Sequence, residues 1–117
     1  VGLTIEDIDA AEVHDCFTIT ELLIYEALGL APSGRGREAL LSGDVYLGGK
    51  LPVNVSGGLK AKGHPVGATG VSMNVLIARQ LLGEAIGLQV NNVEAGLTLN
   101  IGGSGATNIV SILRRLK

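Results

Sequence analysis

Apolar and polar positions along the chain alternate between two periods. Ala10 to His14 reads as a short buried strand. Thr18-Ile-Thr-Glu21 has the spacing of a capping box, and Ile19, Leu22, Leu23, Ala27 and Leu28 follow at helical intervals until the stop signal Gly29. Arg37 to Ser42 predicts a second short helix, ended by Gly43, and 44–53 reads as irregular chain or short strand. Val71 to Leu82 is so apolar that it predicts a buried helix, with Gly83 at its end. Leu97 to Ile101 and Asn108 to Leu113 are strand-like, and Gly102-Gly-Ser-Gly105 between them is a hairpin or bulged-turn signal. The order strand, helix, short helix, loop, helix, strand, strand predicts an α/β layer structure with a C-terminal antiparallel hairpin on a mixed β-sheet.

Composition narrows this. A chain of 117 residues suits one domain with a moderate core. A hydrophobic content of 46% argues for strands buried on both faces under covering helices. No apolar run approaches the roughly 18 residues of a membrane span, and no secretory signal is visible. A formal charge of -2 and 3% aromatic residues argue against nucleic acid as a partner. The lone cysteine excludes an internal disulfide, gives no metal pattern and fits a reducing compartment. The 18 glycines are about twice the usual share of roughly 7% and gather in 48–70 and 102–105, which reads as site construction. Arg114, Arg115 and Lys117 read as a solvated tail. Because the chain opens on Val1 and runs straight into Ile5-Glu-Asp-Ile-Asp9, a portion of a longer polypeptide is expected.

Three segments carry candidate chemistry. In 54–70, His64 stands between Gly63 and Pro65, with Gly57 and Gly58 upstream and Gly67 and Gly70 downstream. Pro65 biases His64 towards extended backbone, and the glycines permit turns and close approaches. An imidazole so held at the mouth of a helix suits a general base or an oxyanion donor. A plain surface-loop histidine fits the same residues. Lys60 and Lys62 raise phosphate binding, but the P-loop spacing is absent. In His14-Asp-Cys-Phe17, a thiol before a helix meets the positive end of its dipole, which favours the thiolate. Cys16 is therefore an acid/base or nucleophile candidate, or else a small buried hydrophobe, and Asp15 fits an ordinary helix cap. In Asn100-Ile-Gly-Gly-Ser-Gly105, backbone N–H groups could face a developing negative charge, or the segment is simply a turn.

Together these segments resemble the C-terminal half of a thiolase. Asn54…Gly57-Gly58…Gly63-His64-Pro65-Val-Gly67-Ala-Thr-Gly70 is highly specific to that superfamily, and the resemblance covers essentially the whole chain in order. The usual thiolase has Asn-Glu-Ala-Phe at His14-Asp15-Cys16-Phe17 and Cys-x-Gly at Asn100-Ile101-Gly102. Both departures match sterol-carrier-protein-type thiolases and similar archaeal acetoacetyl-CoA thiolases.

The resemblance implies a thiolase-like C-terminal half-domain and reversible Claisen condensation, or thiolysis of a 3-ketoacyl-CoA, with acyl-CoA as substrate and no covalently bound cofactor. His64 would activate a nucleophilic cysteine and help bind the thioester oxygen. His14 would complete that oxyanion site, directly or through water. Cys16 would take the acid/base task, and the Gly102 N–H would serve the second oxyanion hole. Asn54, Gly57, Gly58, Gly63 and Asn100 would shape the substrate site, Asn100 marking the lost cysteine. The acyl-carrying cysteine belongs to the missing N-terminal thiolase domain, so the isolated chain is expected to be inactive. The sheet, lacking a further strand and helix of the half-domain, is expected to expose an edge. A homo-oligomer, dimer or tetramer, is implied, with a small CoA-channelling partner protein in some relatives. The cytoplasm is the implied compartment, or the peroxisome in a eukaryote. A thiolase-fold aldolase and a non-catalytic acyl-CoA or lipid-binding module are the alternatives.

Overall fold

Strand β2 (Ala95–Gly102) organises the sheet. It pairs in parallel with β1 (Ala10–Val13) and antiparallel with β3 (Thr107–Arg114), giving the order β1-β2-β3. The computed structural model describes residues 2–116. The parallel pair needs a long crossover, which helices α1 (Thr18–Ala27), α2 (Arg37–Leu41), α3 (Gly58–Lys62) and α4 (Thr69–Leu82) supply. On its other side β1 meets residues 52–54: Ala11 N–H donates to Pro52 O, and Ala11 O accepts from Asn54 N–H. The α/β class, mixed sheet and C-terminal hairpin expected from the sequence are present.

Alternation divides the core between the two faces of the β1–β2 pair. Ala11, Val13, Leu97 and Leu99 pack with Ile24 and Tyr25 of α1, Ala39 of α2 and Leu51. On the other face Ala10 packs with Ile77 and Leu81 of α4 and with Val90 and Val93. Helix α4 can lie close because Gly96 has no side chain: a Cβ there would overlap Ile77 Cγ2. Each such aliphatic side chain, once buried, stabilises the fold by about 1.5–3 kcal/mol.

Five local expectations change. Helix α4 is buried on one face only: Met73, Ile77 and Leu81 are covered, whereas Val71 and Leu82 are 68% and 63% exposed. Apolar content alone does not say whether a second layer covers a helix. In α1 the buried residues are Ile24 and Tyr25, while Ile19 and Leu23 face outwards. The capping box at Thr18 does not form: Phe17 caps the helix without a side-chain bond, and Glu21 instead accepts from Asn54 Nδ2 at 3.0 Å. Helix α3, read as loop, is held by buried Asp15, whose Oδ1 accepts from Leu59 N–H at 2.7 Å. Asp15 thus anchors α3, a cap applied across 44 residues. Of the basic tail, Arg114 ends β3 and Arg115 N–H donates to Glu94 O, and Lys117 lies outside the described residues.

The far strand is open. β3 is exposed along most of its length, with Ile109 and Val110 both more than half exposed. No helix of the described residues is long and apolar enough to cross a membrane.

Candidate active site

The site lies where the two buried parallel strands run out. β1 delivers His14 one residue past its end, with His14 N–H donating to Leu99 O at 3.0 Å. β2 delivers Asn100 beside it. In open α/β sheets this carboxyl edge is where ligands bind, since the loops that leave it are free to vary. His14 is 3% exposed, so its polar atoms need partners. Its Nδ1 is 3.0 Å from Asn100 Oδ1. A carboxamide oxygen only accepts, so Nδ1 carries the hydrogen, and in the neutral ring Nε2 keeps the lone pair.

His64 reaches the same place from the loop between α3 and α4. Its Nδ1 is 2.7 Å from the Thr69 hydroxyl oxygen. That hydroxyl donates to Pro65 O at 3.1 Å in the first turn of α4. With its proton on Pro65 O, the hydroxyl accepts from His64 Nδ1–H, and in the neutral ring Nε2 again keeps the lone pair. The two rings meet edge to face, their centroids 4.8 Å apart with planes at 89°. Neither Nε2 has a hydrogen-bond partner among the described residues. Asn100 also braces the start of α4: a Cβ on Gly70 would stand 2.8 Å from Asn100 Nδ2.

Around these rings opens a cleft of about 1000 Å³. His14, Cys16, His64 and Asn100 line it, with the 102–105 turn at its rim. Gly103, Ser104 and Gly105 all have positive φ in that turn, and Ala106 N–H closes it onto Gly103 O. Cys16 is half-buried just before α1, and its carbonyl accepts from Lys60 Nζ at 3.1 Å. Lys62 is drawn towards Glu12 and Ser56. Both loop lysines thus bond within the protein.

The structure brings His14, Cys16, His64, Asn100 and Gly102 together around one cleft. It places Asn54, Gly57 and Gly58 elsewhere. Asn54 Oδ1 accepts from Val13 N–H at 2.8 Å and its Nδ2 donates to Glu21, a cross-brace between β1 and α1. Asn54 and Gly57 line a separate hollow of about 370 Å³. Gly57, Gly58 and Gly63 take positive φ where the chain enters and leaves α3. Two contributors escape the sequence reading. Thr69 orients His64, signalled only by a hydroxyl in the first helical turn after the histidine. Asn100, read as the mark of a lost cysteine, is the partner of His14, and no local signal announces that bond across 86 residues.

Below the site, Glu12 shares the strand face of His14 and is 3% exposed. Burial raises its pKa above the usual carboxylate range, and the Ser56 hydroxyl and Lys62 offset part of that rise. Burial, reinforced by the Glu21 carboxylate, likewise keeps the Tyr25 hydroxyl protonated. Among the described residues no group of His, Cys, Asp and Glu is placed to hold a metal ion.

Residues 1–115 match the family described as thiolase C-terminal domain-like. The chain is 50% identical over 113 residues to an acetyl-CoA acetyltransferase of Methanothermobacter thermautotrophicus, covering 97% of this chain and 30% of that protein. It is 50% identical over 105 residues to human sterol carrier protein 2, covering 90% of this chain and 19% of that one. A solved structure of an Ltp2-ChsH2(DUF35) aldolase superposes with a TM-score of 0.78 at 27% identity, covering 97% of this chain and 28% of that chain. The chain therefore spans less than a third of the length of each of these relatives.

Proposed function

Because the chain belongs to the thiolase family through its C-terminal domain, we propose that it forms the acid/base and oxyanion half of an acyl-CoA thiolase site, working within a longer polypeptide that brings the acyl-carrying cysteine. The observation that carries this reading is the pair of imidazoles. Two histidines from distant segments meet with Nδ1 bound to a neutral oxygen and Nε2 unpaired, beside the single thiol.

The chemistry follows from those hydrogen bonds in the neutral rings. His64 Nε2 takes the proton of an incoming cysteine thiol, and the thiolate attacks the keto carbon of a 3-ketoacyl-CoA. The new Nε2–H then donates to the thioester oxygen, which carries the negative charge of the enolate once the carbon–carbon bond breaks. His14 Nε2 is an acceptor in its neutral form, so its contribution runs through a water: it accepts one water proton while the other points at the oxyanion. As the carbon–carbon bond breaks, the electron pair remains on the α-carbon of the departing acetyl-CoA, and the Cys16 thiol protonates it. The Cys16 thiolate so formed takes the proton of an incoming CoA thiol, whose sulfur attacks the acyl-enzyme and releases the shortened acyl-CoA. The Gly102 N–H serves the second oxyanion hole, facing the oxyanion of the tetrahedral adduct at the keto carbon. Coenzyme A is substrate here, and no further cofactor is needed.

The test compares the 117-residue chain with the full polypeptide that carries it. Acetoacetyl-CoA is cleaved by the full polypeptide and not by the isolated chain. Turnover by the isolated chain at enzyme-like rates contradicts the reading. A second reading is favoured by the structural likeness to an aldolase. A retro-aldol cleavage needs neither free CoA nor an acyl-enzyme, so a carbon–carbon cleavage independent of added CoA thiol would favour it.

A further inference from the structure

A polar cluster outside the cleft ties together the two segments that deliver the imidazoles. Glu12 Oε2, buried on β1, accepts from the Ser56 hydroxyl at 2.7 Å and faces Lys62 Nζ at 3.5 Å. Lys62 Nζ also donates to the Ser56 oxygen, so one hydroxyl links both charges. Ser56 lies in the turn before α3, and Lys62 is the last residue of α3. Glu12 stands two residues before His14 on β1, and Lys62 stands two residues before His64. Only Gly63 separates Lys62 from His64, and it turns the chain with a φ of 83°. Helix α3 has five residues, too few to hold its shape alone in water. Asp15 secures its first turn through Leu59 N–H, and Glu12 secures its last residue through Lys62. Among the described residues the His64 backbone makes no hydrogen bond to other backbone. Its place therefore depends on the Thr69 hydroxyl on one side and on the end of α3 on the other.

We infer that the Glu12–Ser56–Lys62 clamp sets the separation of the two imidazoles, by fixing on β1 the point from which Gly63 carries His64 to His14. The inference rests on the thiolase reading and adds positioning residues to it. None of the three side chains lines the cleft, so none touches the reacting atoms. Stability alone does not account for the arrangement. Burial raises the pKa of Glu12, so the fold carries its charge at a cost. An apolar pair of similar volume would hold α3 to β1 at least as firmly. It would do so without direction, whereas charge-assisted hydrogen bonds to one buried oxygen fix both length and angle. Two rings that share one oxyanion need that accuracy, because a displacement of about 1 Å costs up to about 100-fold in rate.

The test uses the full polypeptide and two variants. Lys62→Met keeps the stem and removes the charge, leaving Glu12 buried without its partner. Glu12→Gln/Lys62→Met removes both charges, so it should melt at or above the wild-type temperature even if the single variant is unstable. In the double variant kcat for acetoacetyl-CoA cleavage should still fall at least about tenfold, with KM within about twofold of wild type. Its crystal structure should show the His14 and His64 ring centroids farther apart than 4.8 Å. A double variant that melts like wild type and has wild-type kcat overturns the inference, since the clamp then serves stability alone. So does one whose rings keep their wild-type separation. If the wild-type polypeptide cleaves no acetoacetyl-CoA, the thiolase reading falls, and the ring separation in the double variant still decides for or against the clamp.

Discussion

β2 lies between two very different neighbours. β1 is buried at every position, whereas β3 is exposed at six of its eight. The buried pair is a finished piece of structure, covered on both faces and spaced by Gly96 so that α4 can approach. The β3 side and the outer face of α1 are unfinished, with Ile109, Val110, Phe17 and Leu23 uncovered. The site lies along that boundary: His14 and Asn100 belong to the buried pair, and His64, Cys16 and the 102–105 turn belong to the open side. A rigid strand edge fixes one histidine while a loop brings the other to it. Precision thus comes from the buried half and access from the open half.

That contrast predicts that substitutions separate into those that stop chemistry and those that unfold the chain. His64→Ala should lower thiolysis by the full polypeptide by about 10²–10⁴-fold and leave its melting temperature unchanged, because the exposed ring supports no core. A large loss of stability would mean that the loop belongs to the finished half. Ile77→Ala, under β2, should cost about 2–5 kcal/mol in urea unfolding. Ile109→Ala on β3 should cost only a few tenths in the isolated chain, within the ordinary range for surface changes. Equal costs would erase the distinction between the strands.

Thr69→Val keeps shape and removes the hydroxyl that fixes the His64 tautomer. A fall in kcat of about fivefold to tenfold is expected, the worth of one neutral hydrogen bond. Thr69→Ser should restore the rate, which a merely structural role for the methyl group would not allow. The smallest effect concerns Glu12. Its raised pKa means that the folded chain binds more protons than the unfolded one between the ordinary carboxylate range and that raised value. Stability therefore falls as pH rises through this window, and the penalty is fully present above it. Glu12→Gln should be the more stable protein at neutral pH and should flatten the dependence, as thermal melts across pH will report. A variant less stable at neutral pH would show that the Lys62 and Ser56 contacts outweigh burial.

Local chemistry accounts for what could be read from the sequence. The β1 run, the α4 boundaries and the hairpin depend on alternation, helical period and glycine, all within a few residues. The His64 loop was legible for the same reason. The misreadings involve distant partners: Glu21 leaves its expected cap for Asn54 across 33 residues, and α3 is held by Asp15. The His14–Asn100 bond joins opposite ends of the chain, and only the parallel pairing of β1 with β2 creates it. Helical spacing shows that α1 has apolar surface, but only the fold decides that Tyr25 enters the core and Leu23 the cleft.

The most direct test of the proposed division of labour is solvent deuterium exchange at the α-carbon of acetyl-CoA, measured with the full polypeptide and its Cys16→Ser variant alongside acyl-enzyme formation. The account predicts that the variant still acylates, because His64 and the upstream cysteine are intact, but no longer exchanges the α-proton. Undiminished exchange in the variant would contradict it, and would move the acid/base role from Cys16 to another group in the cleft.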